Sequence, residues 1–479
     1  MIRPGSPTGS IAGMSEPAAV RGPALRLSSP LGRRTMAATV VGSGMVFLDS
    51  SVANVALPAI RADLGADLAG LQWVVTGYLL TLGALLLLGG ALGDLKGRRR
   101  VFIWGLALFT AASVLCAAAP ALGVLIAARI LQGVGGALLV PQSLAIVSAA
   151  FHPDDRGAAI GAWSGLAGVS TAAGPFIGGY LVDAFSWRWA FVLNVPLAML
   201  TWWLARAVPE TLDPGASPRL DLPGAITVTL GLAGVVYALI EGPAKVFGDP
   251  LVVVAGIVGI ILLIAFVMIE QRSPGPMIPL TLFGNRRFTG ANLTTVSVYA
   301  ALGGGFFFLG LQLQTVLGYS ALEAGAAFVP VTVLLALLSS RAGRLSQRIG
   351  PRIPMTAGPL LAAVGFVMLS AVAPGTSYVT GVLPGVLVFG LGLAGTVAPL
   401  VGAVLMSVDE RLAGTASGIN NAVSRVAQLL AIALIPLAAG LGGVEVGSTA
   451  FADGYQRAML ITAALLALGG LTAALTVRD

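Results

Sequence analysis

Fourteen long apolar stretches run through this chain of 479 residues, and their repetition limits what it can fold into. A membrane span needs about 20 predominantly apolar residues. Runs of that kind occupy 36–60, 71–92, 101–119, 121–148, 157–181, 188–207, 222–241, 250–269, 289–316, 322–343, 353–373, 378–406, 414–439 and 457–477. In hydrocarbon each backbone polar group must be satisfied within its own segment, which leaves helices for runs of this length. Only 10% of the residues are charged, against about 25% in soluble domains, so most of the surface must face lipid. The sequence therefore reads as an all-α polytopic membrane protein.

An even number of spans puts both ends of the chain on one side. One set of flanks holds 21 of the 27 basic residues and the opposite set holds Arg61, Arg188, Lys245 and Arg457. The excess of basic residues marks the cytosolic side, so both termini are expected in the cytosol of a cell in whose plasma membrane the protein sits. The same bias explains the net charge of +7 without any nucleic-acid partner. Residues 1–34 are rich in Pro, Ser, Gly and Arg and have no apolar run; they read as a disordered cytosolic tail, not a signal peptide. Cys116 is alone, which leaves no disulfide or cysteine metal cluster, and neither metal nor cofactor is expected. His152 sits among Pro153, Asp154 and Asp155, as a solvated loop residue would.

Inside the spans only Asp49, Arg129 and Arg425 are charged. An ionisable group at the bilayer centre costs at least about 2.5 kcal/mol and is by default a functional residue. Asp49 lies 13 residues into the first span, roughly 20 Å at 1.5 Å per residue. Arg129 enters from the other side and reaches a similar level, as does Arg425. One shared central cavity is the expectation. Burial favours a neutral carboxyl and a nearby guanidinium favours an ionised one, so a movable Asp49–Arg129 pair makes a proton switch. A static pair holding helices together is the structural alternative.

The chain also repeats itself. Gly90-x-Leu92 to Gly97 and Arg100, after the second span, is echoed after the tenth by Gly343-x-Leu345 to Gly350 and Arg352. Asp155-Arg156-Gly157 to Gly161 is echoed by Glu410-Arg411 and Gly414 to Gly418, and Pro141 by Pro399. The near-constant offset implies two parallel halves of six spans, at 35–207 and 289–479, related by an axis along the membrane normal. The region 208–288 holds two spans without counterpart, which read as an inserted pair.

Four motifs carry a family resemblance that covers nearly all of 35–479. They are Leu48-Asp49 to Ile60 in the first span, the Gly90–Arg100 loop with Asp94, Gly97, Arg98 and Arg99, the fourth-span Arg129-Ile-Leu-Gln132-Gly133, and the fifth-span Gly161…Gly174-Pro175-Phe-Ile-Gly178-Gly179. The chain resembles the major facilitator superfamily, and within it the fourteen-span drug:proton antiporters. Ser170 and Leu95 depart from the usual motifs, and Gln347 stands where the first half has Asp94. The resemblance implies the major-facilitator fold with two extra central helices. It implies proton-coupled export of hydrophobic, often cationic small molecules such as drugs and antibiotics, by a monomer in contact with lipid. It assigns Asp49 and Arg129 to coupling, the Gly90–Arg99 loop to a gate latch, and the fifth-span glycines with Pro175 to an antiporter hinge.

The polar residues Asn54, Gln72, Tyr78, Gln132, Gln142, Asn292, Gln312, Gln314, Asn420 and Asn421 lie at span depth and are candidates to line the cavity. Trp163 and Phe306 to Phe308 could form an apolar wall. Asp183, Glu241 and Glu323, near the outer ends of spans, are weaker candidates for proton entry. Rival readings are an importer or facilitator of one metabolite on the same fold, or a membrane scaffold or receptor. The short loops leave no room for a soluble domain, hold no nucleotide-binding P-loop pattern and no nucleophile–base–acid set, so an enzyme is not expected.

Overall fold

The computed structural model describes residues 24–212, 220–245, 247–409 and 412–477. Arg3, Arg21, Arg219, Glu410, Arg411 and Arg478 lie outside them, as does most of the expected tail. Sixteen helices follow one another among the described residues: α1 (Pro30–Leu64), α2 (Leu68–Lys96), α3 (Arg98–Ala117), α4 (Leu122–Ala150), α5 (Pro153–Ala184), α6 (Trp189–Val192), α7 (Asn194–Ala205), α8 (Leu222–Glu241), α9 (Pro250–Arg272), α10 (Arg286–Thr315), α11 (Ala321–Ala326), α12 (Val329–Ile349), α13 (Arg352–Leu369), α14 (Leu383–Met406), α15 (Ala413–Ala438) and α16 (Thr449–Thr476). Thirteen helical segments among them are long and apolar enough to cross a membrane, with α11 and α12 counted as one and α14 extended back to Tyr378. The sixth expected span, 188–207, is shorter and broken between α6 and α7. Pro196 explains the break: its nitrogen cannot bond the carbonyl of Val192, four residues back, and its ring clashes there.

The first helix begins at Pro30, six residues before the expected boundary, with Ser29 as its cap. Residues just before it are also placed. Leu25 exchanges backbone hydrogen bonds with Ala150 and His152, and Arg26 pairs with Asp154 at 3.1 Å. The segment 24–34 is thus laid against the α4–α5 junction, where the sequence suggested a tail. His152 is not free in a loop: its ring nitrogen caps α5 by accepting from Asp154.

The helices form two halves built alike. In the first, α2 and α3 pack on α4, and α1 on α5; in the second, α12 and α13 pack on α14, and α10 on α15. The small-residue seams recur as well. Gly105 of α3 sits against the backbone of Gly135 in α4, and Gly358 of α13 sits the same way against Gly392 in α14. Without side chains at these points the helix backbones approach closely, which drives packing where no hydrophobic force distinguishes helix from lipid. The α2–α3 and α12–α13 turns each hold one left-handed glycine, Gly97 (φ 107°) and Gly350 (φ 83°). A side chain on Gly97 would also strike Glu210.

The inserted pair α8–α9 packs through α8 on both α2 and α15, one from each half. Trp73 of α2 donates its indole N–H to Glu241 at 3.1 Å and packs on Tyr237. Most of α9 is exposed and apolar, as a lipid-facing helix is.

Candidate functional site

The three intramembrane charges do not share one cavity. Asp49 (α1) and Arg129 (α4) meet inside the first half, 1% and 0% exposed, with Arg129 Nη1 donating to Asp49 Oδ2 at 2.5 Å. Asp49 Oδ1 accepts from Gln132 Nε2 and Asn194 Nδ2, both at 2.8 Å. Ser113 Oγ accepts from the same two amides, at 2.8 and 3.2 Å. Arg129 also donates to the Val74 carbonyl at 3.1 Å and to Gln132 Oε1 at 2.6 Å, and its guanidinium lies 4.2 Å from the Tyr78 ring centre. Its remaining nitrogen, Nη2, finds no acceptor. The ring face supplies negative potential there. Helices α1, α2, α3, α4 and α7 thus meet around the Asp49–Arg129 pair. A buried charge survives only when paired and hydrogen-bonded, and here both oxygens are occupied.

Local sequence explains how the ligands arrive. Arg129 and Gln132 are one helical turn apart and share a face. Asn194 is the first residue of α7, and the break at Leu193 turns its amide onto Asp49. Asn194 and Ser113 are absent from the sequence candidates. An asparagine two residues before a mid-span proline was the available signal for Asn194; a single serine in an apolar helix carries none.

Arg425 (α15) stands elsewhere, at the seam between halves. Its guanidinium lies 5.3 Å from the centre of the Phe47 ring of α1, and a side chain on Gly83 of α2 would touch its Cβ. Among the described residues no carboxylate pairs with it.

The polar residues expected to line a cavity mostly tie helices together. Gln142 donates to the Gly89 carbonyl, Gln312 to that of Val372, and Tyr78 to that of Val46. Asn420 donates to Asn292 and Thr295 within the second half. Asn54 and Asn421 each bond back to their own helix. Gln72 and Gln314 cross between halves, donating to Ile432 and Val55 carbonyls. A buried amide must find partners, and in these helices the nearest free acceptors are carbonyls of neighbouring spans.

In the Gly90–Arg100 loop, Arg98 closes on Asp94 at 2.7 Å, one helix turn away across Gly97. The backbone N–H groups of Arg99 and Arg100 donate to Glu210, which caps the start of α3. Glu210 follows α7, so residues just beyond 207 belong physically to the first half, and the expected boundary falls slightly early.

The α5 motif divides in two. Gly174 and Gly178 lie against Ser51 and Val52 of α1, and Gly179 against the Ala321 backbone of α11. Asp183 accepts from the N–H groups of Ala321 and Leu322 at 3.0 and 2.8 Å, which locks α5 to the start of α11. Glu323 completes a capping box with Ser320 on the same helix. Among the described residues Gly161, Gly165 and Gly168 meet nothing within 4 Å, so no neighbouring helix approaches α5 closely there. The two halves are therefore joined where α5 meets the start of α11, at the face away from the termini.

Two like-folded halves of long apolar helices define a multi-pass membrane protein, and the comparisons say of which kind. The sequence profile of the Major Facilitator Superfamily matches residues 39–432, and the chain belongs to that family. It is 36% identical over 410 residues to the puromycin resistance protein pur8 of Streptomyces alboniger, covering 85% of this chain and 80% of that one. It is 35% identical to the multidrug resistance protein Stp of Mycobacterium tuberculosis, over 84% and 74% of the two chains. Among solved structures, a bacterial homologue of the human lysosomal transporter Spinster, in an inward-facing and unoccupied conformation, aligns with a TM-score of 0.67 at 17% identity, covering 94% of this chain and 97% of that one. That likeness shows the fold. The chain is a transporter and not an enzyme.

Proposed function

We propose that this protein exports hydrophobic small molecules, drugs and antibiotics among them, in exchange for protons. The observation that carries the reading is the Asp49–Arg129 pair: a carboxylate buried among helices α1, α3, α4 and α7, with no structural need for charge. Replacing such pairs by apolar residues is often neutral or stabilising, so retention argues for use. A proton arriving on Asp49 removes the charge that holds Arg129, Gln132 and Asn194, and frees α1 to shift against α4. One proton moving down 100 mV supplies about 2.3 kcal/mol, enough to drive expulsion. The relatives named for puromycin and multidrug resistance support the export direction.

We read α6–α7 as the fourteenth span, both termini as cytosolic from the arginine bias, and the chain as a monomer. A cleft between α5 and α12 then opens to the cytosol, where substrate enters, and the Asp94–Arg98 pair with Glu210 acts as the cytosolic latch. In proteoliposomes with an imposed pH gradient, puromycin movement by the intact chain should follow the gradient. Asp49→Asn should lose at least about tenfold of that gradient-driven rate while gradient-independent exchange persists. Unchanged coupling in Asp49→Asn would leave the pair a purely structural role.

A further inference from the structure

We propose that Arg425 and Trp163 form an anion-accepting site at the seam, so that the preferred substrates are neutral or acidic aromatic amphiphiles and not cations. The proposal rests on the exporter reading and names its substrate class. Three observations carry it. First, the negative charge is already consumed: Asp49 is closed off by Arg129, Gln132 and Asn194 inside the first half. A cation in the cleft has no free carboxylate at that depth to meet. Second, among the described residues Arg425 has no counter-ion. The groups within its electrostatic reach are the phenols Tyr78 and Tyr299, and the Tyr78 hydroxyl already donates to Val46. Third, a donor without a partner among the described residues packs on the same Phe47 ring. Trp163 of α5 is buried, and its indole N–H finds no acceptor.

The geometry joins the two donors. The Phe47 ring has the Arg425 guanidinium 5.3 Å from its centre, and the Trp163 ring edge-on at 6.5 Å. Arg425 comes from the second half and Trp163 with Phe47 from the first, so one ligand held by both bridges the parts that move. A buried donor without an acceptor, as the Trp163 indole is among the described residues, is costly, and a carboxylate satisfies a guanidinium in two parallel bonds. The Phe47 and Trp163 rings offer the body of such a molecule an apolar face. Gly83 leaves the space that lets the Arg425 stem pass.

One fluorescent body with three head groups tests this: 1-pyrenebutyrate, 1-pyrenebutanol and 4-(1-pyrenyl)butyl-trimethylammonium, with the full chain in phosphatidylcholine vesicles. Pyrenebutyrate should bind at least about tenfold more tightly than the ammonium, a difference of about 1.4 kcal/mol. Arg425→Gln should lower pyrenebutyrate affinity about tenfold and leave pyrenebutanol unchanged; Arg425→Lys should restore part, and Trp163→Phe should weaken pyrenebutyrate about threefold. Tightest binding of the ammonium, or an equal loss of all three probes in Arg425→Gln, overturns the proposal. So does loss of pyrenebutyrate binding when phosphatidylglycerol is added, since the arginine then holds a lipid headgroup. Transport separates the two readings. If pyrenebutanol is moved and pyrenebutyrate is no better bound, the anion site fails and export stands. If nothing is moved yet pyrenebutyrate binding depends on Arg425, export fails and the anion site stands.

Discussion

Asp49 shows how far one residue constrains the rest. A carboxylate in an apolar helix was bound to find a cation and donors, and the candidates of matching depth were few. Arg129 and Gln132 were legible for that reason. The Asn194 contact was not, because it depends on a helix break that redirects one amide. Removing that amide leaves an oxygen of a buried carboxylate with one donor fewer. Asn194→Ala should destabilise the protein by about 1–3 kcal/mol, read as a lowered thermal transition of the purified chain. Adding Asp49→Asn to Asn194→Ala should not recover that loss, because the buried Arg129 guanidinium then has no counter-ion.

At the scale of helices, glycine positions that look equivalent in sequence part company in space. Gly174 and Gly178 press α5 onto α1, while Gly161 faces open space. Gly178→Leu should therefore cost well over about 2 kcal/mol through overpacking and lower the yield of folded protein. Gly161→Ala should be neutral or up to about 1 kcal/mol stabilising, as alanine favours helix; unfolding midpoints of the two variants check this. Gly97→Ala meets two obstacles, a left-handed backbone and Glu210, so it should destabilise the α2–α3 turn even though alanine is small. The glycine spacing was legible along α5, but which glycines touch anything depends on where α1 and α11 end up.

For the whole molecule, the two seams at opposite faces decide which way the cleft opens. Asp183 spans them, since its carboxylate caps the first N–H groups of α11, where a negative charge is favoured. Asp183→Ala should loosen the closed face and shift the population toward the opposite opening. Spin labels at Gly157→Cys of α5 and Ser340→Cys of α12 should then report a shorter distance, with the unaltered Asp183 as reference.

The sequence by itself determined the class of architecture. Span lengths, the arginine bias, the near-constant repeat offset and the cost of charge in lipid follow from chain chemistry that holds wherever the helices pack. Tertiary structure decided the rest: that Asp49 and Arg129 form a closed pair within one half, that Arg425 stands at the seam, and that Gln72, Gln142, Gln312 and Gln314 serve carbonyls outside their own helices. Depth along a helix is a one-dimensional quantity that the sequence carries. The direction a side chain takes around the helix, and the neighbour it meets there, are fixed only when every other helix is in place.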